Sequence, residues 1–384
     1  MMPQRFRWVG LPLAVGCLPL ESAEAARLPL FARRYGVACA QCHAIPPKLN
    51  AFGEAFRRGG YSMAGLAGRN TLPFALWISG RRDDLPEGPG LVDEVSNYLN
   101  RIEVITGGRI VAPNLSYFVE WRPLSKETRS DGTLRDRSGR FEDIYLTGTA
   151  GPFSLTAGQF RLVDQVDVSL RLGLSEPLAL AAGLPGSGAG TSREVSLRGF
   201  APGARSPALR VGWTAPAASW SFTSSVALPF PGEFSIPLSD EAKVEASNEL
   251  DLDPKGLVLE SFLRRGIHSF GAHAFLGSGN RRLLNLVHTG GLGRLYWTAI
   301  AGLDSPGADA ATRGRLSLEA ELVPHRFVAV GARTENRSAD GAGTAFLPFV
   351  LLQAPGTRYT FRLTLEQRVQ RGRHTTLIEI GTVF

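Results

Sequence analysis

Apolar and polar side chains alternate through most of this chain, from about Thr71 to its last residue. In the run from Leu115 to Arg122, Leu, Tyr, Val and Trp occupy one side and mostly polar residues the other, and the runs 315–322 and 359–366 repeat the pattern. A period of two residues is that of a β-strand with one buried face. The pattern therefore predicts a mainly β protein.

The connections between these strands distinguish a barrel from other β folds. In the second half of the chain, short turns alternate with longer or more polar links; the short turns fall at 264–266, 290–293, 324–325 and 354–357, and the longer links at 277–282, 304–313 and 335–343. A transmembrane barrel has short turns on one rim and longer loops on the other. No internal repeat of about 40 residues is found, which argues against a propeller.

The length of the alternating region sets the size of the barrel. Residues 71–384, at roughly 10 residues per strand and a similar share of connection, predict a transmembrane antiparallel β-barrel of about 16 strands. A barrel of that size leaves an open lumen. Residues 375–384 end on Phe384 and are similar to the last strand of bacterial outer-membrane proteins. Between the N-terminal segment and that strand, no run approaches about 18 consecutive apolar residues, so no transmembrane helix is expected.

Residues 1–25 are predicted to be an export signal. Arg5 and Arg7 precede a short apolar run, and an A-x-A cleavage site ends at Ala25. A second interpretation has Cys17 lipidated as part of a lipoprotein signal. Export and a barrel together predict that the chain lies in the bacterial outer membrane, with the lipid bilayer as a partner.

The run Cys39-Ala40-Gln41-Cys42-His43 carries the most specific chemistry in the sequence. C-x-x-C-H is the attachment signature of c-type haem, in which two thiols add to the haem vinyl groups and the adjacent histidine ligates the iron. The motif therefore predicts one covalent haem c, with Cys39 and Cys42 as the attachment residues and His43 as an axial ligand of the iron.

Other sites built from two cysteines fit this segment less well. A zinc knuckle needs two more Cys or His nearby, and none lies between His43 and His268. A thioredoxin-like pair needs a βαβ unit, which the surrounding sequence does not suggest. Four states of the second axial position of the iron are open: ligation by Met63, by water or by a histidine from elsewhere, or no ligand at all. A methionine near a haem also often serves only to fill space.

A short helix is expected after the motif. Pro46-Pro47 suits a helix start, and Leu49, Phe52 and Phe56 follow at helical spacing. They predict one apolar face, which packs against a neighbouring element, forms a wall against the porphyrin, or does both.

Later histidines are not assigned as iron ligands. His268 and His273 fall on one predicted strand at offsets of opposite parity, so their side chains are expected on opposite faces of the sheet. The default for each later histidine is a solvated or packed imidazole.

Basic residues exceed acidic ones, and the formal net charge is +7. They are spread along the chain, which together with export excludes nucleic acid as a partner. A local excess lies between Arg27 and Arg69, where seven basic residues stand against Glu54 alone. Two interpretations are open: a solvated basic face, or contact with haem propionates or an acidic partner.

A dense block of residues surrounds the haem motif: FARRYGVAC from Phe31, PKLNAFGEAF from Pro47, and Gly60-Tyr61. This block resembles the fused monohaem cytochrome c and porin proteins of the bacterial outer membrane, of which the iron-oxidising cytochromes are the best known. The resemblance implies that residues 26–70 form a small α-helical monohaem cytochrome c segment in or beside the mouth of a barrel made by residues 71–384. It also implies electron transfer from an extracellular donor, such as Fe(II), to a periplasmic cytochrome.

These features leave three functions. The leading hypothesis is an electron carrier, because a hydrocarbon layer about 30 Å thick separates two aqueous pools and a haem in the barrel divides that distance. The second is a porin whose haem segment is a plug or a redox sensor. The third is a haem enzyme that acts on a small molecule such as peroxide.

Overall fold

The computed structural model describes residues 30–63, 73–84, 100–110, 114–128, 134–166, 171–175, 177, 205–217, 219–230, 232–245, 256–277, 282–305, 312–337, 344–355, 360–370 and 373–383. The predicted export signal with Cys17, the predicted boundary between residues 70 and 71, and Phe384 lie outside these ranges.

Sixteen antiparallel strands of the described residues close into a barrel. They are β3 (Ala75–Asp84), β4 (Arg101–Arg109), β5 (Leu115–Thr128), β7 (Arg140–Ala150), β8 (Phe153–Arg161), β9 (Arg205–Ala217), β10 (Trp220–Pro229), β11 (Gly256–Arg265), β12 (His268–Gly277), β13 (Arg282–Leu292), β14 (Leu295–Ser305), β15 (Arg313–His325), β16 (Val328–Arg337), β17 (Thr344–Pro355), β18 (Thr360–Gln370) and β19 (Arg373–Val383). A short strand, β6 (Leu134–Asp136), pairs with the end of β5 and is not a member of the wall, because β5 pairs directly with β7. The predicted mainly β fold and its strand number are confirmed.

The wall closes where the last strand meets the first. Val383 of β19 pairs with Trp77 of β3 in an antiparallel register. Two-residue turns at 151–152, 266–267, 293–294 and 326–327 lie on one rim, which is called the short-turn rim below. The connections at 278–281, 306–312 and 338–343 lie on the other rim and are longer, whereas β18 and β19 are joined on that rim by two residues. The alternation of short and long connections predicted between residues 264 and 357 is confirmed. Among the described residues, no helix is long and apolar enough to cross a membrane.

The polarity of the wall is the reverse of that in a water-soluble barrel. On β15, the leucines at 316, 318 and 322 are exposed by 40%, 42% and 42%, whereas Ser317, Glu319 and Glu321 are buried. Because successive side chains on a strand point to opposite faces, the leucines lie on the outer surface and the polar residues face the lumen. An apolar outer band with a polar interior suits a wall that stands in hydrocarbon.

Residues 30–63 form a separate small unit, the plug. Its elements are α1 (Leu30–Tyr35), α2 (Cys39–Cys42), β1 (His43–Ile45), β2 (Lys48–Leu49) and α3 (Ala51–Arg58). The expectation that Pro46-Pro47 begins a helix is wrong: these prolines join β1 to β2, and α3 begins after Asn50. The reason is the cap, since the Asn50 side chain accepts a hydrogen bond from the backbone N–H of Gly53 at 2.9 Å.

The plug lies in the lumen and touches the wall on several sides. Arg34 donates to the carbonyl of Gly107 on β4 at 2.7 Å. The ring of Tyr61 stacks on Phe118 of β5 with centroids 4.8 Å apart. Lys48 pairs with the inward-facing Glu321 of β15. Because β5 and β15 are far apart in the circular strand order, these contacts show that the plug reaches across the lumen.

The connection between β8 and β9 also turns into the lumen, and its described part (residues 162–166, 171–175 and 177) is called the inward connection. The backbone N–H of Gln165 donates to Glu260 of β11 at 2.8 Å, and that of Leu172 donates to Glu321 at 2.7 Å. Leu162, Val163 and Val166 are buried in an apolar cluster with inward-facing residues of β9 to β14. Two inserts among the described residues therefore lie in the lumen, the plug and the inward connection.

The long rim carries one further described insert. Residues 232–245 pass over β6 and β7 and include α4 (Asp240–Glu245). Ser239 donates to Asp136 at 3.0 Å, and Arg137 pairs with Glu233 at 2.8 Å.

Candidate haem site in the lumenal plug

The two cysteines of the motif lie one at each end of helix α2. Both are free thiols and both are half-buried. The backbone N–H of His43 closes this single turn by donating to the carbonyl of Cys39. Burial raises the pKa of both thiols, so they are neutral around pH 7. The turn thus presents two thiols and an imidazole within five residues of chain.

The imidazole of His43 has a defined tautomer. Its Nδ1 lies 3.1 Å from the carbonyl oxygen of Pro47, and since a carbonyl only accepts, Nδ1 carries the proton. Burial lowers the pKa of His43 by more than two backbone hydrogen bonds raise it. The lowered pKa keeps the ring neutral. The lone pair is then on Nε2. A histidine that ligates a metal through one nitrogen commonly donates its other N–H to a carbonyl in this way.

Helix α3 is fixed against the motif through Asn50. Its Nδ2 donates to the carbonyls of Ala40 at 3.2 Å and Gln41 at 3.1 Å, and its backbone N–H donates to Cys42 at 2.9 Å. Gly53 permits this close approach of helix and motif, because a Cβ at that position would lie 2.1 Å from the Cys42 carbonyl oxygen. Asn50 and Gly53 therefore position the motif, a role that the sequence reasoning missed although Asn is a typical cap residue.

The predicted single apolar face of α3 is wrong. Leu49 lies in β2, ahead of the helix, because the helix starts later than predicted. Phe56 is buried and packs edge-on against Phe31 with ring centroids 5.1 Å apart, and Tyr61 joins the same cluster. Phe52 is 41% exposed. Phe56 thus packs inside the plug, whereas Phe52 is accessible to a ligand.

The residues of the motif fit a covalent haem. The two thiols are unpaired, and the tautomer of His43 leaves Nε2 free to ligate. Phe52 is an exposed large apolar side chain on the helix that packs against the motif. Cys39 and Cys42 would hold the group, His43 would ligate its iron, and Phe52 offers it an apolar contact.

Met63 is the last described residue of the plug. It is half-buried and follows the turn at Gly60 and Tyr61, both of which have positive φ values, of 71° and 57°. Its role as the second axial ligand stays a prediction.

The basic excess of the plug has an explanation that the sequence did not suggest. Arg33 and Lys48 are buried, at 5% and 7% exposure, so the interpretation as a solvated basic face is wrong for them. Lys48 pairs with Glu321 of the wall, and Arg57 pairs with Asp164 of the inward connection at 2.7 Å. Within the described part of the chain, these charges bind the plug to its surroundings.

The later histidines are placed as predicted. His273 is buried and inward-facing, while its strand neighbour His268 is exposed on the outer surface, so the two do lie on opposite faces. In the ranges that the structure describes, no group of three His, Cys, Asp or Glu side chains is arranged to hold a metal ion.

Comparison with known proteins shows a similarity of fold. No family model matches the chain, and no curated protein matches it in sequence. The OmpF porin of Salmonella typhi, solved in complex with daunomycin, superposes with a TM-score of 0.51 at 9% identity and covers 81% of this chain and 97% of its own. An anion-selective porin from Comamonas acidovorans gives 0.49 at 11% identity, with coverage of 81% and 97%. The outer-membrane channel DcaP of Acinetobacter baumannii gives 0.44 at 10% identity, with coverage of 81% and 96%. This chain has the closed barrel fold found in the OmpF porin.

Proposed function

We propose that this chain is a porin-like barrel of the bacterial outer membrane whose lumen holds a plug carrying one covalent haem c. The observation that carries the proposal is the position of residues 30–63, which contact inward-facing residues of β5 and β15 across the lumen. The leucine-rich outer surface of β15 supports a location in the bilayer. This is the second of the three hypotheses, a porin whose haem segment is a plug, and the porin-like barrel fold supports it better than the leading hypothesis of an electron carrier with its haem in the barrel.

The chemistry of the plug supports the haem in this proposal. Thioether bonds from Cys39 and Cys42 would hold the group, and Nε2 of His43 would ligate its iron. The hydrogen bond from His43 to Pro47 fixes the orientation of the ring. When bound, the haem supplies one-electron redox chemistry.

The plug also determines what the barrel can pass. A barrel of 16 strands leaves a water-filled channel when it is empty. Here the plug and the inward connection both occupy the lumen, and both bind Glu321. Solute flow through the closed form is therefore expected to be small.

Electron transfer is the second candidate function. The two cysteines are half-buried and Phe52 is exposed, which favours a haem edge accessible to a donor or carrier. The wall contacts of the plug include Gly107, Arg264 and Tyr296, which lie near the short-turn ends of their strands. A haem at that end suits exchange with a carrier on one side of the membrane, while an extracellular donor such as Fe(II) would need a path through the long-loop half.

The haem is tested by purifying the full chain and recording its oxidised and reduced spectra and its mass. We expect one covalent haem per chain, which Cys39→Ser/Cys42→Ser abolishes while the barrel still folds. A wild-type chain without haem would contradict the proposal. Loss of an absorption band typical of methionine ligation in Met63→Ala would identify the second ligand.

The channel and the carrier are separated by two further measurements on the same protein. Swelling of liposomes in small sugars reports solute passage, and a slow rate that rises when the plug is loosened supports the plugged porin. Reduction of the haem by Fe(II) supports the carrier, whereas a haem that stays oxidised removes Fe(II) as the donor. Rapid binding of carbon monoxide with turnover of peroxide would favour the enzyme instead.

A further inference from the structure

One buried cluster of charges joins the plug, the wall and the inward connection. Its centre is Glu54 of α3, whose carboxylate accepts from Arg264 of β11 at 2.5 Å. Arg57 and Arg58, on the same helix as Glu54, lie 3.1 Å and 3.3 Å from that carboxylate. Charges in such a buried pair depend strongly on their partners, because a single charge left behind is poorly solvated.

The same arginines of the plug also reach the inward connection. Arg57 Nη1 lies 2.7 Å from Asp164, and Arg58 Nε lies 3.5 Å from it. Asp164 is itself held on the wall, since its backbone N–H donates to Glu260 of β11 at 3.0 Å. Glu54, Arg57, Arg58, Asp164 and Arg264 are called the ion cluster.

A second side of the plug, facing β5 and β7, is held by aromatic contacts. Tyr61 stacks on Phe118 of β5, and its hydroxyl lies 3.2 Å from that of Tyr145 on β7. Phe56 and Phe31 pack behind Tyr61. Apolar stacking of this kind does not depend on charge, whereas the ion cluster does. The two sides of the plug therefore respond differently to the loss of one charge.

A second shared contact joins the two inserts. Glu321 of β15 accepts from the backbone N–H of Leu172 at 2.7 Å and pairs with Lys48 of the plug. Ile45 of the plug and Leu172 of the inward connection are buried in one apolar cluster with Leu351. The plug and the inward connection are thus packed together as one body in the lumen.

We propose that the plug and the inward connection form a gate for small hydrophilic solutes, and that the ion cluster holds this gate closed. Breaking the cluster frees the α3 side of the plug from β11 while the aromatic side stays on β5 and β7. The lumen then conducts between α3 and the wall. The gate rests on the plugged barrel of the proposed function but not on the presence of haem.

The test is the conductance of the full chain in planar lipid bilayers, with Arg264→Met as the first variant. Methionine is unbranched like the apolar stem of arginine, and it removes the charge. We expect wild type to be mostly closed and Arg264→Met to be open about 10-fold more of the time. Arg264→Lys, which restores the charge, should return most of the closure. Asp164→Asn removes the charge that the inward connection contributes to the ion cluster, and it should also open the channel. The test therefore does not depend on one variant.

The adjacent residue on the same strand is the matched control. Arg265 is exposed and its guanidinium lies over the ring of Trp220, 5.7 Å from the centroid, so Arg265→Met removes the same charge on the outer surface and should behave as wild type. The gate is overturned if Arg264→Met and Asp164→Asn both conduct as wild type, or if Arg265→Met opens the channel equally. The haem content of each sample separates the proposals: haem without gating refutes only the gate, and gating without haem refutes only the haem plug.

Discussion

The wall and the plug of this protein are held together by different means. In the wall, each strand pairs with two neighbours in long antiparallel ladders, such as the eleven-residue register of β13 with β14 from Arg282 to Leu292. The plug has an eight-residue helix as its longest element, and it depends on side-chain contacts with Glu321, Arg264 and Phe118. The wall is thus stabilised by its own backbone, while the plug depends on the wall around it.

This contrast has a consequence for how the two regions open. Short helices are marginal without tertiary packing, so the plug should open locally at a lower free energy than the strands. The differences between the two regions can be tested by substitutions that act on one and leave the other unchanged.

The largest effect is expected in the aromatic cluster of the plug. Phe56→Ala removes a buried ring that contacts Phe31, Tyr35 and Tyr61, and it should destabilise the plug by about 3–5 kcal/mol. Hydrogen exchange should show faster exchange in residues 30–63 and unchanged protection in the strands. Phe52→Ala, on the same helix but 41% exposed, should have a smaller effect, because it leaves the aromatic cluster intact and removes only the apolar contact proposed for the haem. Equal loss of protection in plug and strands would show that the two regions are one cooperative unit.

A slightly smaller effect is expected on the outer face of the wall. Leu318→Arg places a charge among the exposed leucines of β15 and should destabilise the barrel by about 2–4 kcal/mol in a bilayer. Urea unfolding in lipid vesicles measures this loss. His325→Arg, at the exposed end of the same strand, should cost less than about 1 kcal/mol, because the penalty falls near the interface. A similar cost at both positions would argue against a membrane-embedded outer surface.

The cap of α3 gives a smaller effect that is confined to the plug. Asn50→Ala removes the acceptor for Gly53 N–H and the donor to Ala40 and Gln41, and it should cost about 1 kcal/mol. Asn50→Asp keeps the acceptor and loses the donor, so it should recover the helix but not the attachment to the motif. Exchange rates of α3 and the yield of attached haem report these two losses separately. Identical behaviour of the two variants would mean that the amide donor has no role.

The smallest expected effect is the change in plug stability with pH near neutrality that is due to Glu54. Burial raises the pKa of this carboxyl, but Arg57, Arg264 and Arg58 together outweigh burial and the repulsion of Asp164, so the pKa is lowered overall. A lowered pKa contributes stability that is complete above the ordinary Glu range and is lost as the pH falls through the folded value. Plug opening in wild type and Glu54→Gln should therefore differ by a constant amount near pH 7 and converge in strong acid. A difference that grows with acid would contradict this sign.

Several features were predictable because they are encoded over short stretches of chain. The alternation in residues 315–322 predicted β15, and the spacing of turns predicted the two rims. The start of α3 was misjudged from Pro46-Pro47, although Asn50 carried the better signal as a cap residue. The ion cluster could not be predicted, since Glu54 and Arg264 are separated by 210 residues and nothing local indicates which carboxylate an arginine will meet.

The sequence by itself determined the period of the strands and the approximate strand number, and it placed two thiols and an imidazole at the spacing that predicts a haem. Each follows from the chemistry or geometry of neighbouring residues, where backbone dihedrals and fixed spacing leave few options. Only the tertiary structure decided that the plug lies inside the lumen, that the inward connection packs against it, and that Arg264 and Asp164 bind it. Those contacts arise when the sheet closes, because closure brings distant strands around one enclosed polar space in which buried charges require partners.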